Sequence, residues 1–148
     1  MIQVIEIDSL IETDNANWLL KAEAIHRHLR PQLPTDYTEK MRRVYEGGGR
    51  VIIATKDNEV LGVAVYRIYE NTAFGMHMYL DDLVTSEAHR SQGVGKILLD
   101  KLYEIARQNT CEVVTLDSAT QRLGAHKFYF REGYSILAFH FAKYIKKQ

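Results

Sequence analysis

Apolar and polar positions change period several times along this chain, and each change marks an element. Residues 1–7 alternate, Ile2 and Val4 against Gln3 and Glu6, and predict a short strand. Trp18, Ala22, Ile25 and Leu29 then recur at helical spacing, and Pro31 and Pro34 stop the helix they define. His26 and His28 lie two positions apart on it, off any shared metal-ligating face, and read as surface or half-buried side chains. Asp36-x-x-Glu39 has the form of a capping box. Tyr37, Met41 and Val44 give the next helix its apolar stripe, and Gly47-Gly48-Gly49 ends it.

A meander follows. Val51–Thr55 predicts a buried strand, Lys56-Asp57-Asn58-Glu59 a hairpin turn, and residues 60–69 a second strand. Asn71–Gly75 turns the chain into a third strand over residues 76–84. Val94, Ile97, Leu98, Leu102 and Ile105 then repeat at helical spacing, so a helix running to about Gln108 buries one face. Residues 112–116, rich in β-branched side chains, predict a strand parallel to the one before that helix. Residues 123–132 predict a last helix ending at Gly133, and residues 134–144 a last strand. The order predicts a single α/β domain over residues 1–148: a mixed sheet of six or seven strands with four helices on both faces.

The totals narrow the function. Nineteen basic residues balance 19 acidic ones, which argues against a general nucleic-acid binder. Cys111 is the only cysteine, so no internal disulfide forms and a reducing, cytoplasmic setting is expected; it reads as a small buried hydrophobe at a strand start. No apolar run approaches the ~18 residues of a membrane span, and no signal leader follows Met1. No metal site is expected.

The chemistry concentrates in Tyr79–Leu102. An apolar strand feeds the polar turn Arg90-Ser91-Gln92-Gly93-Val94-Gly95, and the amphipathic helix starts there. Free N–H groups at a helix start, with glycine allowing close approach, make an anion site. A dinucleotide fingerprint does not fit: Leu98 stands where the third glycine belongs, and no acidic residue follows about 20 positions on. A Walker loop does not fit either, since Ile97 follows Gly95-Lys96 where Ser or Thr belongs.

Arg90-x-x-Gly93-x-Gly95 resembles the first signature of the GNAT superfamily, the acyl-CoA-dependent N-acetyltransferases. Ala125-x-x-Phe128-Tyr129 followed by Gly133-Tyr134 resembles the second, in the right order and at the right distance. The two segments cover about a third of the chain. The resemblance implies a GNAT-like fold and direct transfer of acetyl from acetyl-CoA to an amine, of a small molecule or of a peptide. It further implies that the strands ending at Val84 and Leu116 splay apart around the pantetheine arm. The pyrophosphate would lie on amides of Gln92, Gly93, Val94, Gly95 and Lys96, in the turn that includes Ser91, with Arg90 or Lys96 adding charge. The Leu83 N–H is placed at the oxyanion, with Val84 and Thr85 holding the pantetheine amides. Tyr129 matches the tyrosine that protonates the departing thiolate; a phenol of ordinary pKa keeps its proton at neutral pH.

Asp81 and Asp82 are the candidate bases for the acceptor ammonium. Strand alternation turns only one of them into the cleft; family parity favours Asp81, acting through water, with Asp82 bonding the turn, and a bulge would invert this. His77 shares the Asp81 face as a lesser candidate. Arg122 stands where many members have asparagine, and Thr120 or Ser118 is available for the missing hydrogen bond. Asp14, Asp36, Tyr37, Glu39 and Tyr69 are candidates for an acceptor wall suited to a cationic amine. The strand carrying Phe139-His140-Phe141 is a candidate homodimer edge. A non-catalytic acyl-CoA-binding module is the alternative to an enzyme.

Overall fold

The computed structural model describes residues 1–147 in two units, Met1–Leu116 and a second beginning at Asp117. The first unit holds a five-stranded sheet ordered as the chain runs: β1 (Gln3–Ile7), β2 (Arg50–Lys56), β3 (Glu59–Asn71), β4 (Gly75–Thr85) and β5 (Val113–Leu116). β1 through β4 pair antiparallel, and β4 pairs with β5 in parallel. The helix between β4 and β5 makes that direction possible. Asp57 and Asn58 both adopt left-handed φ, 50° and 65°, as a two-residue hairpin turn matched to strand twist requires.

Helices α1 (Thr13–Leu29) and α2 (Tyr37–Glu46) cover one face of this sheet. There Leu19, Ala22, Ile25, Tyr37 and Met41 pack with Val51, Ile53, Val63 and Val65. Only the N-cap half of the expected capping box forms: the Asp36 side chain accepts from the Glu39 N–H at 3.0 Å, while the Glu39 carboxylate pairs with Arg42 and Arg43. α3 (Val94–Gln108) lies on the opposite face, since it meets the β3 backbone at Gly62, whose neighbours Leu61 and Val63 alternate in direction. A Cβ added at Gly62 would stand 2.8 Å from Val94 Cγ1 and 2.9 Å from Leu98 Cδ1. Glycine is what lets the helix start seat against the strand. Leu98, Leu99 and Leu102 are fully buried behind it, each contributing about 1.5–3 kcal/mol of hydrophobic stabilisation. A short 3-10 turn, Glu87–His89, separates β4 from α3.

The second unit carries α4 (Leu123–Arg131). Two sequence expectations need correction here and in α1. The described sheet has five strands rather than six or seven, because residues 134–144 form no strand. Their alternation supplies β propensity, which becomes a strand only where a ladder partner pairs the backbone. His26 is not a surface side chain: it is 2 % exposed, and the buried face of α1 runs through Asn15, Leu19, Ala22, Ile25 and His26.

Candidate active site

An extra residue in β4 organises the centre of the first unit. Val65 pairs with Asp82 and Tyr66 with Leu80, so Asp81 has no opposite number on β3. Alternation alone would send the two carboxylates to opposite faces. A bulge sets both on one side, and both line one cavity of about 220 Å³. The expectation that one of the pair looks into the cleft is thus corrected. Met41, Val44 and Val65 supply apolar lining, and His26, Arg30 and Lys40 add basic groups.

Asp82 is tied to α1 through both oxygens. Its Oδ1 accepts from Arg30 Nε at 2.7 Å, and its Oδ2 lies 2.6 Å from His26 Nε2. His26 Nδ1 in turn lies 2.8 Å from the Tyr37 hydroxyl. Burial first, then the charges of Glu23 and Asp82, raise the Tyr37 phenol far above its ordinary pKa, so it keeps its proton. The Asp82 carboxylate accepts from the ring at Nε2, and the protonated Tyr37 hydroxyl bonds Nδ1 on the other side. Burial works to raise the Asp82 carboxyl, but the hydrogen bonds and charges of His26 and Arg30 overcome it and hold the pKa below the usual aspartate value.

Asp81 is held by a different arginine. Arg67 donates to its Oδ2 through Nη2 at 2.7 Å and Nε at 3.1 Å, and through Nη1 to the Gly47 carbonyl at 3.1 Å. Arg30 Nη2 donates to the Asp81 carbonyl at 2.9 Å, pinning the bulged backbone itself. Lys40 lines the same cavity, and its side chain makes no ion pair or hydrogen bond among the described residues. His77 does not reach the cavity. It is 2 % exposed, its ring lies 4.4 Å from Tyr69 and 5.8 Å from Phe74, and its Nδ1 has no partner among the described residues. Of the other acceptor-wall candidates, Asp36 caps α2, Glu39 pairs with Arg42 and Arg43, and Tyr37 serves His26.

Beyond Asp82 the strand changes role. Pairing of β4 with β5 ends at Leu80 and Leu116, so Asp81–Thr85 has β3 on one side and no strand on the other among the described residues. The Ser86 N–H donates to the Leu61 carbonyl of β3 at 2.8 Å. In an antiparallel ladder amides alternate in direction, so Val84 also points at β3 while Leu83 and Thr85 point to the open edge. The turn after β4 has left-handed φ at Ser91 (69°) and Gly93 (76°). α3 then begins with no side-chain cap and no acidic residue in its first turn. Amides of Val94, Gly95 and Lys96 accordingly have no acceptor within the helix. Nearby, Arg90 pairs with Glu87 at 3.4 Å and Lys96 with Asp100 at 3.1 Å; exposed pairs of this kind hold by only about 0–1 kcal/mol.

In the second unit Tyr129 sits on α4, its ring 5.4 Å from Phe128 and edge-on to Tyr134 at 5.5 Å. Gly133, at φ 92°, turns the chain so that the Tyr134 N–H donates to the Tyr129 carbonyl at 3.0 Å. Arg122 is the first half-turn residue of α4, and its side chain makes no capping hydrogen bond. Ser118 Oγ is buried without a partner among the described residues. Cys111 is half-buried, and burial raises its thiol pKa. Among the described residues no group of three or more His, Cys, Asp or Glu is placed to hold a metal, and no helix is long and apolar enough to cross a membrane.

Sequence reasoning passed over His26, Arg30, Lys40, Gly62 and Arg67. One signal was available: His26 and Arg30 stand four apart and therefore share a helix face.

The acetyltransferase (GNAT) family model matches residues 17–134. The chain is 36 % identical over 94 residues to an uncharacterized N-acetyltransferase, YhdJ, of Bacillus subtilis, covering 53 % of this chain and 66 % of that protein. It is 33 % identical over 96 residues to the aminoalkylphosphonate N-acetyltransferase of Salmonella typhimurium, covering 62 % and 60 %. The matched segments thus span just under two thirds of these relatives. In fold, the structure is similar to AAC(6')-Iy solved with a CoA bisubstrate analogue, at TM-score 0.79 and 16 % identity over 100 % of this chain and 99 % of that one.

Proposed function

The chain belongs to the acetyltransferase (GNAT) family, and from that premise we propose that it transfers acetyl from acetyl-CoA directly to the amine of a small molecule. The family match runs across both units, and we read the whole chain as one acetyltransferase domain working in the cytoplasm. The observation that carries the reading is the open side of β4 at Leu83 and Thr85, followed directly by an uncapped helix start at Gly93. A pantetheine chain needs unpaired strand amides, and a pyrophosphate needs unpaired helical ones.

Acetyl-CoA supplies the activated thioester. Leu83 N–H is the donor for the carbonyl oxygen as charge develops there, worth about 3 kcal/mol in such sites. Thr85 holds the pantetheine through its outward amide, whereas the Val84 amide, which the sequence also offered, is spent on the β3 side. The amides from Gln92 to Lys96, in the turn containing Ser91, hold the diphosphate with help from Arg90 and Lys96. Tyr129 gives its phenolic proton to the departing sulfur. Asp81 takes the proton of the acceptor ammonium, through water, while Arg67 fixes its orientation. Asp82 is the poorer base, since its side chain is less exposed than that of Asp81 and its pKa is depressed. A cavity of about 220 Å³ supports a small acceptor over a protein chain.

Release of free thiol from acetyl-CoA, measured against a panel of primary amines, tests the reading. Thiol release that depends on amine is the result expected. Coenzyme binding with no release for any acceptor overturns it in favour of a binding module.

A further inference from the structure

The charges around the cavity do not sum to an acidic wall. Asp81 is matched by Arg67, and Asp82 by Arg30 with His26 at its second oxygen. That leaves Lys40 as a cation in the lining with no carboxylate of its own among the described residues. Arg30 also spends only Nε and Nη2 on β4, so Nη1 remains as a donor on a side chain 42 % exposed. A pocket so charged repels a second positive group on an acceptor and offers two donors to a negative one.

We propose that the acceptor is a small amine bearing an anionic group, a phosphonate or carboxylate a few bonds from the nitrogen, and that Lys40 with Arg30 forms the subsite for that anion. The reading deepens the acetyl transfer proposed above and rests on it. The amine end lies toward Asp81, and the anionic end toward α2 and the end of α1. The cavity volume, about 220 Å³, falls below the ~300 Å³ at which drug-sized ligands begin to fit, so a compact zwitterion fills it where a polycationic oligosaccharide does not. Lys40 is half-buried on α2 and lies outside the apolar core that holds its neighbour Met41, so its substitution leaves the core intact.

The test uses the full chain, acetyl-CoA and size-matched amines in the thiol-release assay: 2-aminoethylphosphonate and β-alanine, against propylamine and ethanolamine, against 1,3-diaminopropane. The anion-bearing amines are expected to show kcat/KM at least about tenfold above the neutral ones, the worth of one charge-assisted contact, and higher still above the diamine. Lys40→Ala is expected to erase that ratio by lowering kcat/KM for the anionic amines alone; Lys40→Arg is expected to keep it, and Lys40→Glu to shift preference toward the diamine. Equal turnover of neutral and anionic amines, or a ratio unmoved by Lys40→Ala, overturns the anion subsite while leaving acetyl transfer standing. Release with no amine at all overturns acetyl transfer itself, and the subsite with it.

Discussion

His26 and Asp82 are 56 residues apart in sequence and 2.6 Å apart in space, and through them helix α1 is bolted to the bulge of β4. Tyr37 of α2 bonds the other ring nitrogen, so three elements meet at one imidazole. The contact is nearly dry: His26 is 2 % and Asp82 11 % exposed at the side chain. Both partners line the cavity, so this contact fixes part of its wall.

Its first consequence is a pH-dependent stability. The Asp82 carboxyl is held below its ordinary pKa in the folded chain. The contribution is therefore fully present above the unfolded aspartate value, near 3.9, and is lost as pH falls through the folded one. Asp82→Asn is expected to cost about 2 kcal/mol at pH 7, a gap that closes in acid. Urea unfolding of both proteins at pH 7 and pH 3 measures it.

The two aspartates separate in a pH–rate comparison. Asp81→Asn is expected to remove the acidic-side dependence of kcat and lower turnover about 100-fold, as loss of a general base does. Asp82→Asn is expected to keep the shape of the profile while raising KM for the amine. If Asp81→Asn retains the wild-type profile, Asp81 is not the base.

In the proposed reaction Tyr129 carries the complementary proton. Tyr129→Phe is expected to lower kcat about 100-fold with little change in KM for acetyl-CoA, because the donor matters only as the thiolate leaves. Steady-state kinetics with varied coenzyme decide the point, and unchanged turnover removes the phenol from the reaction.

Gly62 offers a test of the coenzyme platform from outside it. An added Cβ meets Val94 and Leu98 below 3.0 Å and the Val84 carbonyl at 3.3 Å. Gly62→Ala is expected to destabilise by about 1–3 kcal/mol and to weaken coenzyme A binding as the start of α3 moves off β3. Calorimetric titration alongside thermal unfolding reads both effects; unaltered affinity would separate that helix start from the ligand.

Much of this was legible in the chain. Local chemistry announces local structure: Asp36 caps a helix, Asp57-Asn58 turn a hairpin, and the spacing from Val94 to Ile105 buries one side of α3. The paired signatures around Gly93 and Tyr129 reach the family. What the sequence hides depends on partners far away. The extra residue at Asp81 exists only relative to the register of β3, so period counting put Asp81 and Asp82 on opposite sides. His26 looks like an ordinary surface histidine until Asp82 and Tyr37 are brought to it. Residues 134–144 alternate like a strand, but alternation does not supply the second edge a strand requires.

The bulge stands where two tasks part company along the chain. Side chains between His26 and Val44 line the chamber ahead of it, while in the proposed function backbone from Leu83 to Lys96 forms the grip beyond it. Because the grip is built from amides, it tolerates change in almost every side chain; the chamber is built from side chains and answers to each one. Under the proposed function, exchanging the first 49 residues for those of a relative is therefore expected to alter most of the chamber's lining and spare the backbone that holds the donor.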